Sequence, residues 1–116
     1  MSLVILIIKI FIAVITLMMG AFVLIRPAAI YDFIGLSVNG VRGSTEIRAI
    51  FGGLFVALGA APLILNTPEA FKMLGIAYIG IAATRIGNMV NEPCFEKSNL
   101  ISLGSEIVLG AALLLL

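Results

Sequence analysis

The chain has 116 residues, 62% of them hydrophobic and 11% charged, with a mean hydropathy of +1.26, whereas a soluble domain carries about 25% charged residues. A soluble fold of this size has too little interior to hide so much apolar surface, so the solvent must be lipid. A net charge of +1 leaves no basic patch for nucleic acid, the absence of histidine removes His-ligated haem and imidazole triads, and a single cysteine, Cys94, excludes a disulfide within the chain.

A membrane span needs about 20 apolar residues at about 1.5 Å each. The first candidate runs over residues 3–25. Its only charge is Lys9, inside the apolar run, and the run outlasts the core of a signal peptide, so it reads as a retained transmembrane helix. The next stretch, RPAAIYDFIGLSVNGVRG at 26–43, opens with a helix-stopping proline and closes with Gly40 and Gly43. Its centre, 28–36, is expected to form a short helix in the membrane interface, anchored by Tyr31 and Phe33; with no tryptophan present, Phe, Tyr31 and Tyr78 must form the aromatic belt. A second span is expected at 44–65. The NTP at 66–68 is a tight hairpin with Thr67 as N-cap and Pro68 at the first helical position. A third span follows at 68–90, then the loop NEPCFEKSN at 91–99 with Ser98 as a cap, then a fourth span at 98–116.

The expected fold is therefore all-α: a single integral membrane domain over residues 1–116, a four-transmembrane-helix bundle with a short interfacial helix in its first loop. Both termini lie on one side. Arg26, Arg42 and Lys97 on the loop side outnumber Lys72 on the other, which favours cytoplasmic loops and external termini.

At about 100° per residue, each span carries one stripe that holds its charge. The stripes are Ser2, Lys9, Ala13, Thr16 and Gly20; Glu46, Ala49, Gly53, Ala57 and Ala60; Tyr78, Ile81, Arg85 and Asn88; and Asn99, Ser102, Glu106 and Gly110. Small residues let helices approach and polar ones bond across the contact, so the stripes are expected to face inward. Arg85 lies at a depth from which it can reach Glu106, and its five donors could serve Glu46 too. The expected site is a buried Glu46–Arg85–Glu106 cluster, with Asn88 and Tyr78 as supporting donors and Lys9 either joining from below or snorkelling to its own side. Ala49, Gly53, Ala57 and Gly110 are expected to be packing positions.

Each residue also has a plainer reading. Glu46 complements a helix dipole in the first turn after Ser44. Arg48 is an interfacial snorkeller beside Phe51 and Phe55. Arg85 with Glu106 is glue that fixes helix register. No metal ligand set and no cofactor motif is present.

The string STEIRAIFGGLFVALGA at 44–60, followed by TRIGNM at 84–89 and the late Glu106, resembles a bacterial family of small four-helix inner-membrane proteins catalogued as a domain of unknown function. Its most specific pieces are the Glu-Ile-Arg at 46–48 with the paired Gly52 and Gly53, and the region of Arg85. The resemblance implies a bacterial cytoplasmic-membrane protein with polar residues at Glu46, Arg48, Arg85 and Glu106, and it implies no activity. Small multidrug transporters are similar only in size, because their first span holds a glutamate where this one holds Lys9. Four-helix membrane glutathione-type transferases share only a Glu and Arg on a helix, and their fuller Arg/His-rich motif is missing.

Three functions remain open on the sequence. The first is a non-enzymatic structural or accessory subunit of a membrane complex, or a homo-oligomer, partnered by the bilayer and not by nucleic acid. The second is a small proton-coupled carrier that uses Glu106. The third is a lipid-binding protein or enzyme with a pocket at Arg85.

Overall fold

The computed structural model describes residues 2–116. Helix α1 (Leu3–Ile25) is capped by Ser2, whose hydroxyl accepts from the Val4 N–H, and it stops just before Pro27. Helix α2 (Ala28–Ile34) is the short helix of the first loop, and it ends at Gly35 in the left-handed region with φ 72°. Helix α3 (Gly40–Leu65) ends at Asn66, also left-handed, a conformation that asparagine tolerates better than most residues. Helix α4 (Pro68–Asn91) starts as expected, with the Thr67 hydroxyl accepting from the Ala70 N–H and Pro68 in the first turn. Helix α5 (Lys97–Leu115) completes the chain. All but α2 are long and apolar enough to cross a membrane, so the fold is an all-α bundle of four spanning helices.

Two boundaries differ from the expectation. Helix α3 begins at Gly40, four residues before Ser44, so Glu46 lies well inside the helix and has no first-turn dipole to complement. Helix α5 begins at Lys97 behind an extended Glu96 that makes no side-chain cap, which leaves Ser98 inside the helix.

The helices pair as two hairpins. Helix α1 packs chiefly on α3, and α4 chiefly on α5, with sparser contact between the pairs. The α1–α3 contact is backbone against backbone. A Cβ added at Gly20 would lie 2.6 Å from the Gly52 carbonyl oxygen, and one at Gly59 would lie 2.6 Å from that of Ala13. In the α4–α5 pair, a Cβ on Gly110 would meet the Ile79 side chain at 2.8 Å. Close approach through small residues supplies the van der Waals contact that holds helices together where lipid is as apolar as the side chains. Ile12 and Ala13 of α1, Phe71, Leu74 and Tyr78 of α4, and Leu113 of α5 form the buried core, with Leu58 of α3 packed against it.

Helix α3 contains a π-helical segment, Arg48–Gly53, which changes its inward face. A π turn holds more residues than an α turn. The buried positions are Ile47, then Gly52 five residues on, then Gly59 and Pro62. The stripe expected from ideal α-helical spacing does not follow this line. Glu46, Ala49 and Ala57 are exposed, and a Cβ on Gly53 would find only the Arg48 carbonyl oxygen, at 3.9 Å. The close helix contact thus belongs to Gly52 and Gly59 and not to Gly53.

Candidate functional site

Arg85 lies six residues before the end of α4, about 9 Å along the helix axis, and Glu106 lies nine residues into α5, about 14 Å. The helices are antiparallel neighbours, and the long arginine stem bridges the difference. The pairing is bidentate. Arg85 Nε donates to Glu106 Oε1 at 2.9 Å, and one terminal nitrogen donates to Oε2 at 2.7 Å. The other terminal nitrogen donates to Asn99 Oδ1 at 2.8 Å, and the Asn99 amide donates onward to the Cys94 carbonyl at 2.8 Å. Asn99 therefore ties the start of α5 and the preceding loop to the guanidinium. Fork-to-carboxylate geometry adds direction as well as strength, and it lets a charge sit at membrane depth.

The two partners differ in access. The Glu106 side chain is 12% exposed and that of Arg85 is 29% exposed. Arg85 lines a cleft of about 700 Å³ that runs along α4 with Ala77, Gly80, Ile81, Thr84, Asn88 and Met89, and Cys94 and Asn99 complete its lining. The cleft exists because α4 presents Ala77, Gly80 and Thr84 there; a Cβ on Gly80 would meet nothing within 4 Å. Its lining is graded. Arg85, Asn88 and Asn99 lie near the loop end, and Ala77, Gly80 and Ile81 lie deeper in the span.

At the deep end Ala77 and Ile81 also line a narrow seam between the hairpins, together with Thr16, Phe55, Leu58, Leu74 and Tyr78. The seam holds about 10 Å³, at most one water. The Thr16 hydroxyl donates to the Ile12 carbonyl at 2.9 Å, so in the hydrogen bond between Thr16 and Tyr78 the tyrosine is the donor.

The sequence-derived cluster is thus only partly assembled. Arg85 and Glu106 pair as expected. Glu46 does not join them: it pairs with Arg42 one turn back, at 2.5 Å, on an exposed surface of α3. Such i, i+4 surface pairs contribute little. Asn88 lines the cleft, but no hydrogen bond links it to the pair among the described residues. Tyr78 is spent on Thr16. Lys9 is 2% exposed, neither snorkelling out nor ion-paired among the described residues. Asn99, and not the expected donor Asn88, supports the pair, and it does so by accepting from Arg85. Its signal was available, since it shares the α5 stripe with Glu106.

The family model described as a domain of unknown function (DUF4345) matches residues 4–116. The chain belongs to that family. The match spans all four membrane helices together with Arg85, Asn99 and Glu106. Comparison with curated proteins and with solved structures gives no match.

Proposed function

We propose that this small membrane protein of the DUF4345 family binds a membrane amphiphile in the cleft along α4, with the polar head at Arg85 and the apolar part beside Ala77, Gly80 and Ile81. The carrying observation is the graded lining around a guanidinium that is positioned but not saturated. Arg85 has five N–H donors and commits three to Glu106 and Asn99. A second acid at Glu46 would have closed the site, and Glu46 lies elsewhere.

Passage across the membrane has less support, because the seam beyond the cleft has room for about one water. A non-enzymatic accessory role in a membrane complex stays as the second reading. What favours it is that the Arg85–Glu106 pair also ties α4 to α5. On either reading we place the chain in a bacterial cytoplasmic membrane with the loops inside, from the excess of Arg26, Arg42 and Lys97.

The test is Gly80→Leu, which fills the cleft without touching the charge pair. Native mass spectrometry of the parent, released from nanodiscs, should show a retained lipid that Gly80→Leu loses while keeping its helical circular dichroism. Equal retention by both proteins would end the cleft reading.

A further inference from the structure

The charges around the cleft narrow the class of occupant, on the reading that the cleft holds an amphiphile. Among the described residues Arg85 is the one charged side chain that lines the cleft. Inside the cleft the Arg85 charge is matched by Glu106. Sites for anionic lipids gather several unmatched Lys and Arg residues; the lining of this one has a single cation, and that cation is matched. The pair is nonetheless oriented, since Arg85 lines the cleft and Glu106 does not. Its positive end faces the occupant and suits an acceptor oxygen.

Two other lining groups can take a donor. The Thr84 hydroxyl gives its proton to the Gly80 carbonyl at 2.9 Å, so what it offers the cleft is a lone pair. Asn88, four residues on and therefore on the same face, brings an amide whose carbonyl can accept and whose NH2 can donate, neither engaged among the described residues. A headgroup that satisfies both sides has an acceptor anion and an N–H cation, and zero net charge. A quaternary ammonium fits poorly. It has no N–H to give, and it is usually held against aromatic faces, of which this lining has none.

We propose that the cleft selects a lipid with a primary-ammonium phosphodiester headgroup, of phosphoethanolamine chemistry, with its phosphate at Arg85 and its ammonium at Thr84 and Asn88. The apolar lower cleft takes the first part of a tail, which continues into the bilayer.

The experiment is competition in nanodiscs. Phosphatidylethanolamine, phosphatidylglycerol and phosphatidylcholine of matched chains are mixed equally, and the retained lipid is read by native mass spectrometry. The parent should favour phosphatidylethanolamine by about tenfold, the worth of one charge-assisted hydrogen bond. Thr84→Val with Asn88→Leu, which leaves the Arg85–Glu106 pair in place, should erase that preference. A preference for phosphatidylglycerol, equal retention of phosphatidylcholine, or an unchanged preference in the double variant would overturn the headgroup assignment. If retention still vanished in Gly80→Leu, the cleft itself would survive that result. Loss of all retention in the parent would overturn both. Soluble O-phosphoethanolamine is the last arm. Without a tail it should fail to displace the lipid, and complete displacement at equal concentration would make the free headgroup the ligand and the lipid assignment wrong.

Discussion

Arg85 and Glu106, 21 residues apart in sequence, meet side-on, with Nε and one terminal nitrogen each donating to a different carboxylate oxygen. Removing either partner strands the other at membrane depth, at a cost of about 3–5 kcal/mol. Arg85→Ala and Glu106→Gln should each lower thermal stability in detergent by that order, and the double variant should lose less than their sum. Additive losses in this cycle would mean that the two side chains do not act as a pair. Arg85→Lys keeps the charge but not the fork, so it should fall between parent and Arg85→Ala.

The glycine contacts predict a reversal of the sequence-based expectation for α3. Gly59→Ala drives a methyl into the backbone of α1 and should cost about 1–3 kcal/mol. Gly53→Ala makes only an ordinary contact with the Arg48 carbonyl and should shift stability by no more than about 0.5 kcal/mol. Thermal melts of the two variants decide the matter, and a more damaging Gly53→Ala would refute the π-helical register.

The Thr16–Tyr78 hydrogen bond should be asymmetric to mutation. Tyr78→Phe removes the donor and leaves Thr16 still bonded to the Ile12 carbonyl, a loss of about 0.5–1.5 kcal/mol. Thr16→Val leaves a buried phenol without an acceptor and should cost more, about 1–3 kcal/mol. Chemical or thermal unfolding in a common detergent ranks them, and the reverse order would make Thr16 the dispensable partner.

Orientation is open to direct measurement through Cys94, which is exposed and free. With cytoplasmic loops, a membrane-impermeant thiol reagent should label Cys94 only after the cells are permeabilised. Labelling of intact cells would put the loops outside.

The polar faces of α1 and α5 were legible in the sequence because ideal helical spacing holds there. Lys9, Ala13, Thr16 and Gly20 on α1 are buried, as are Glu106 and Gly110 on α5. Helix α3 was not legible for two physical reasons. A charge in a span need not point inward: Arg42, one turn before Glu46, gives that carboxylate a partner at the surface. The π segment then advanced the frame by a residue, which no hydrophobic pattern announces. A pocket at Arg85 was one of the readings the sequence left open, but the run of the cleft along α4 was not legible, because it comes from what α4 lacks at Ala77, Gly80 and Thr84 and not from any motif.

The two hairpins differ in what each needs for insertion. The α1–α3 contact at Gly20, Gly52 and Gly59 is a matter of shape, complete once the first 65 residues are in the bilayer. Helix α4 carries Arg85 into lipid at a cost of about 2.5–3.5 kcal/mol near the helix centre, less toward the ends, and its neutralising carboxylate arrives only with α5. The final pair of helices should therefore enter the membrane together as a unit, with α4 waiting in the translocation machinery or at the interface until Glu106 has been synthesised.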